Sequence, residues 1–135
     1  MNAPQTILVI EDDEHMRRFV NVALRYAGYE VHQAKDGAEG MAKAIRLRPD
    51  LIILDVMMPG EMDGLAVCHV IRHNENLKRV PVLILSGLIE EIDVRAGHIY
   101  GCTEYLTKPV SIADLQNAVH ALLQQGEAAM ATTGT

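Results

Sequence analysis

A doubly wound α/β fold, (βα)5 around a parallel sheet, is what this sequence predicts, and three observations predict it. Aliphatic runs of strand length recur as TILVI at 6–10, LIIL at 51–54 and VLIL at 82–85. They are continuous rather than alternating, as in strands covered on both faces. Between them lie segments with apolar residues at helical spacing, joined by short connections rich in glycine, proline and aspartate. Strands that alternate with helices in this way are parallel and are linked by right-handed crossovers. The third observation is chemical: four strands end at or just before a polar residue. That carboxyl edge is where open α/β sheets form their ligand sites.

The elements follow in order. The strand at 6–10 breaks into Glu11, Asp12, Asp13 and Glu14. Met16, Phe19, Val20, Ala23, Leu24 and Ala27 then repeat at helical spacing, with Arg17, Arg18, Asn21 and Arg25 on the other face, until Gly28 stops the helix. A short strand is expected over 30–34. Asp36 and Gly37 mark a turn, and Ala38, Met41, Ala42 and Ile45 carry a second helix that Pro49 ends. The strand at 51–54 closes on Asp55. Residues 57–64, with Pro59 and two glycines, read as a loop, and an apolar helical pattern resumes over 65–73.

The strand at 82–85 ends at Ser86 and Gly87. A weakly patterned helix opens at Ile89 and closes at Gly97, which implies marginal packing there. The last strand, 103–106, precedes Lys108 and Pro109. Ser111, with Asp114 three residues on, opens a final helix in the manner of a capping box, and Ile112, Leu115, Val119, Leu122 and Leu123 form its apolar face. From Gly126 the sequence GEAAMATTGT has one bulky apolar residue, Met130, and reads as a frayed tail. The expectation is one domain over 5–124 and a flexible tail over 125–135.

Composition narrows the function. The 135 residues suit one core, and a formal charge of −6 lacks the positive field that most nucleic-acid binders use. Direct nucleic-acid binding is not expected, and with no tryptophan there is little for a base-stacking platform. No apolar stretch reaches the roughly 20 residues of a membrane helix, so no membrane partner is expected. Cys68 and Cys102 form no metal spacing and read as small core residues of a reducing, cytoplasmic protein. The six histidines, at 15, 32, 69, 73, 98 and 120, receive no role.

Parallel packing gathers Glu11, Asp12, Asp55, Ser86 and Lys108 at one edge. Carboxylates crowded there repel unless a cation sits between them, and an all-oxygen set is what hard Mg2+ selects. A lysine and a hydroxyl beside such a cation supply the remaining contacts that a transferring phosphoryl group requires. Asp55 is then the nucleophile of an acyl phosphate. The competing reading makes each acid a cap for the helix after its strand. A single acid divides evenly between the two; the whole set favours a shared site.

ILVIEDDE, LIILDVMMPG followed by MDGL, VPVLILSG and YLTKP, in that order, resemble the receiver domain of bacterial response regulators. The resemblance spans nearly all of residues 5–124. It implies a flavodoxin-like sheet in the order 2-1-3-4-5, with Asp55 as phosphoacceptor and Mg2+ or Mn2+ as cofactor. The metal ligands it implies are Asp12, Asp55 and the backbone carbonyl of Met57, with Glu11 beside them. It also implies Ser86 as switch hydroxyl, Lys108 as phosphate-binding lysine before a cis Pro109, and Tyr105 as switch aromatic. Arg17, five residues beyond Asp12, matches an arginine common in receivers. That favours the Glu11/Asp12 register and leaves Asp13 as an alternate ligand or a helix cap.

The implied phosphodonor is a histidine kinase or a histidine phosphotransfer protein. Arg17 and Arg18 either form its docking face or are simply solvated. The 89–97 helix and Tyr105 form the face that an effector or a second copy would read. Two departures from the family pattern stand out. MMPGEMDGL is one residue longer than usual, and Met57 and Leu88 are apolar where receivers place side chains that tune hydrolysis, which predicts a long-lived acyl phosphate. An aspartyl-phosphate phosphatase would need a second Asp at position 57, and a pocket reduced to protein contacts would not need the full set of acids, serine and lysine. The sequence leaves open whether the chain acts alone or as part of a longer regulator.

Overall fold

Strands apolar on both faces need two covering layers, and the computed structural model provides them. It describes residues 3–55, 64–87 and 103–133. Five parallel strands, β1 (Thr6–Ile10), β2 (Glu30–Ala34), β3 (Leu51–Asp55), β4 (Val82–Ser86) and β5 (Glu104–Thr107), lie in the order β2-β1-β3-β4-β5. This is the order the resemblance implies. Four described helices cover the sheet: α1 (Glu14–Tyr26), α2 (Gly37–Leu47), α3 (Gly64–Arg72) and α4 (Ile112–Thr133).

The strand pleat sorts alternate residues into two cores. Leu8, Ile10, Ile52, Leu54, Val82 and Ile84 pack against Met41 and Ala44 of α2 and Val67, Cys68 and Ile71 of α3. Ile7, Val9, Leu51, Ile53, Leu83 and Leu85 pack against Val20, Ala23 and Leu24 of α1 and Leu115, Val119, Leu122 and Leu123 of α4. Continuous aliphatic strands are therefore a consequence of two helical layers, with every second side chain belonging to the other face. Cys68 is fully buried, as expected of a core residue; Cys102 lies outside the described residues.

Helix ends follow local chemistry. Asp13 caps α1 by accepting from the His15 backbone N–H at 3.0 Å, and Asp36 caps α2 by accepting from that of Glu39 at 2.8 Å. Gly28, at φ 99°, closes α1: its N–H reaches the Arg25 carbonyl and that of Tyr29 the Leu24 carbonyl, a Schellman closure. On α2 the essential glycine is Gly40, where an added Cβ would stand 2.5 Å from the Ile10 side chain. Its absence lets the helix settle on β1. Ser111 accepts from the Asp114 N–H at 3.0 Å, as its spacing predicts.

Two expectations fare differently. The helix at 89–97 lies outside the described residues. Over the expected tail, the backbone of α4 is helical through Thr133. Ala128, Ala129 and Ala131 are strong helix formers, and a helix can continue on such propensity where the apolar periodicity has stopped.

Candidate functional site

Register alone brings the chemical residues together. Ile10 of β1 pairs with Leu54 of β3, so Glu11 and Asp55 emerge side by side. Asp55 pairs with Leu85 of β4, which puts Ser86 one step beyond; Ser86 pairs with Thr107 of β5, and Lys108 follows. The chain turns to β2 on one side of β1 and to β3 on the other. The crevice at that reversal is where doubly wound sheets hold ligands.

Glu11 and Asp55 are the two buried charged residues among the described ones, 3% and 6% exposed. The Lys108 ammonium bridges them, donating to Glu11 Oε1 at 2.7 Å and to Asp55 Oδ2 at 3.2 Å. Two carboxylates at such close quarters cannot both ionise freely. Burial, reinforced by the hydrogen bond and charge of Asp55, pushes the Glu11 carboxyl up to about 7, against the pull of Lys108. For Lys108 the balance reverses. Burial disfavours its charge, but the hydrogen bond to Glu11 and the charges of Asp55 and Glu11 outweigh that and raise it above the usual lysine range.

Asp12 completes the acidic group from the exposed side. One carboxylate oxygen from each of Glu11, Asp12 and Asp55 lies within 4.8 Å of the others. Adjacent oxygens bound to a hard octahedral cation at about 2.1 Å stand roughly 3 Å apart, which side chains gathered within that limit reach by rotation. With all three carboxylates ionised, as a bound cation would favour, the group and its one ammonium carry an excess of two negative charges, the complement of one divalent cation. Donor type, spacing and charge all fit Mg2+ or Mn2+.

The Asp13 side chain is engaged as the cap at the start of α1. Arg17 holds the same turn from the other side, donating from Nη1 to the Glu11 carbonyl at 2.8 Å and to that of Asp12 at 3.5 Å. The resemblance singled out Arg17 but not this backbone contact, which sets how the two acids leave β1. The Lys108–Pro109 bond is cis. Tyr105 is half-buried against the α2 and α3 core. Ser86 has its backbone at the edge, in register with Thr107; its hydroxyl, Met57 and Leu88 lie outside what the structure describes.

The comparisons agree with this architecture. The family model of the response regulator receiver domain matches residues 7–120. The chain is 42% identical over 119 residues to the DNA-binding dual master transcriptional regulator RpaA of Synechocystis, covering 88% of this chain and 49% of that protein. Among solved structures it resembles chemotaxis protein CheY4 of Vibrio cholerae, with TM-score 0.85, 33% identity, and coverage of 89% of this chain and 99% of the other. It also resembles the signal receiver domain of a signal transduction histidine kinase from Syntrophus aciditrophicus, with TM-score 0.83, 33% identity, and coverage of 90% and 91%. The chain spans about half the length of the curated relatives it matches. Sheet order, edge chemistry and family match converge, and the chain belongs to the response regulator receiver domain family.

Proposed function

We propose that Asp55 accepts a phosphoryl group from the phosphohistidine of a histidine kinase or histidine phosphotransfer protein, and that the added charge switches the domain toward a partner. The observation that carries this is the half-buried Lys108 bridge between the buried Glu11 and Asp55. A lysine held at a strand-end carboxylate, beside two further acids, is the arrangement that in-line phosphoryl transfer uses.

In this reading an Asp55 carboxylate oxygen attacks phosphorus, the phosphorus–nitrogen bond of the donor breaks, and the imidazole keeps the electron pair. Lys108, already at the acceptor, neutralises oxygens of the incoming group. Glu11, Asp12 and Asp55, with the Met57 backbone carbonyl, are the residues that would hold Mg2+ or Mn2+, with Asp13 an alternate ligand once released from its cap. A bound divalent cation would shield charge on the phosphoryl oxygens. The Ser86 hydroxyl bonds one of those oxygens, and its inward movement gives Tyr105 room to rotate.

Residues 5–124 form the functional unit of this reading. Its output face combines Tyr105 with residues 89–97, read by an effector or by a second copy. The N-terminal half of α1 is its donor-docking face. There Arg17 is committed to the turn, and Arg18, largely exposed beside Glu14, supplies the accessible charge. The chain acts as a cytoplasmic signalling module that catalyses only its own phosphoryl transfer and loss. No helix of the described residues is long and apolar enough to cross a membrane.

The test is direct. The protein is incubated with a small phosphodonor and Mg2+ and then weighed intact. An acid-resistant, base-labile phosphate adduct that Asp55→Asn lacks supports the reading. Absence of any adduct favours a pocket acting by contacts alone, and steady phosphate release from unrelated esters favours a phosphatase.

A further inference from the structure

The carboxyl edge makes no use of the C-terminal end of α3, yet that end carries a second pair of metal-ligating side chains. His69 lies in the last turn of α3 and His73 is the first residue beyond it, its N–H bonded to the Val70 carbonyl; the two rings lie beside one another and both residues are exposed. Their ring centroids lie 4.3 Å apart, with the planes inclined by 42°. His73 Nδ1 is 2.8 Å from the carbonyl oxygen of His69. A carbonyl can only accept, so Nδ1 carries the proton, and the lone pair of the neutral ring stands on Nε2. Metal-binding histidines fix tautomer and ring orientation through this kind of second hydrogen bond.

We propose that His69 and His73 form a chelating site for a borderline transition cation, Ni2+, Cu2+ or Zn2+, separate from the carboxylate edge. Each ring supplies one nitrogen, and water fills the remaining positions. Nitrogens at about 2.1 Å from one ion stand roughly 3 to 3.5 Å apart, a separation that rings already at 4.3 Å reach by small side-chain rotations. In H-E-x-x-H helices two histidines at this sequence spacing present both rings to one ion. The neighbouring cation does not obstruct the pair: the Arg72 guanidinium is turned to the carbonyls of Lys78 and Val80 and to the Thr103 hydroxyl. Donor chemistry separates the two sites, since imidazole nitrogen suits these ions and the all-oxygen edge suits Mg2+.

The probe is NiCl2, titrated calorimetrically into the whole protein in excess MgCl2, which occupies the carboxylate edge. The expected result is one Ni2+ per chain. Its affinity falls at least roughly tenfold in His69→Ala and, separately, in His73→Ala, and is unchanged in Asp55→Asn and His120→Ala. Circular dichroism checks that the substitutions leave the fold intact. Absence of Ni2+ binding overturns the proposal, as does an affinity that neither substitution at 69 or 73 lowers, or one that falls in Asp55→Asn.

Discussion

Two strand-to-helix turns sit at the same edge of this sheet and begin with the same device. After β1, Asp13 caps α1; after β2, Asp36 caps α2, at 3.0 and 2.8 Å. The turn after β2 is paired on one side only, by the end of β1, because β2 is an edge strand. The turn after β1 places Glu11 and Asp12 ahead of its cap, at the central reversal, where register brings Asp55 alongside and Lys108 reaches across 97 positions of sequence. A cap is a local contact worth about 1 kcal/mol. The site is non-local, and each of its charges is tolerable only because the others are present. The two turns should therefore respond differently to substitution.

The largest effect belongs to Lys108. Lys108→Gln should slow phosphorylation of Asp55 by about a hundredfold or more, the scale on which a positioned electrostatic donor matters. It should simultaneously tighten Mg2+ binding, because a competing cation has left the carboxylates. Phosphorylation rates and Mg2+ titrations on one sample check both signs, and weaker Mg2+ binding would break the picture of a shared charge balance.

Asp12 and the two caps come next. Asp12→Asn should weaken Mg2+ by roughly tenfold or more with little change in stability. Asp13→Ala and Asp36→Ala should each lower stability by about 1 kcal/mol and leave Mg2+ affinity nearly intact. Denaturation and metal titration of the three variants separate ligand from cap.

The pH dependence sharpens the same contrast. Folding raises the Glu11 carboxyl from 4.5 to about 7, so the native state holds this proton more tightly than the unfolded chain. The stability that Glu11 supplies is complete below its unfolded value and is lost as pH rises through about 7. In metal-free buffer, wild type minus Glu11→Gln should therefore give a stability difference that declines from about pH 4.5 to above pH 7. Denaturant midpoints measured across that range check it, and a difference that grows with pH would contradict it.

The smallest effects lie away from the edge charges. Gly40→Ala, which drives a methyl into Ile10, should cost about 1 to 3 kcal/mol without altering phosphorylation. The apolar Met57 and Leu88 predict an acyl phosphate that outlasts those of receivers with polar residues there. A half-life of seconds for the isolated phosphorylated protein would refute that.

What the sequence showed, and what it hid, divides along the same line as the two turns. Doubly buried strands announce themselves by unbroken aliphatic runs, so sheet and layers were legible from TILVI, LIIL and VLIL. The Ser111 cap was legible because its signal is local, and the polar residues at the strand ends marked the edge itself. The Lys108 bridge to Glu11 was not, because it depends on two register relations and on the burial that lifts a carboxyl toward neutrality. Arg17 was singled out by the resemblance, while its hold on two backbone carbonyls depends on how α1 leaves β1. The continuation of α4 past Gln125 was hidden because its residues lack the apolar periodicity that marks a packed helix, although their propensity permits one.

The central claim is that Asp55, among several acids at one edge, is the acceptor because Glu11, Asp12 and Lys108 make it so. Reductive trapping of the phosphorylated protein with borohydride converts an acyl-phosphate aspartate to homoserine, and peptide mapping then locates it. The account predicts homoserine at position 55 alone, with the signal strongly reduced in Lys108→Gln. Homoserine at position 12 or 13, or full labelling of position 55 without Lys108, would contradict it.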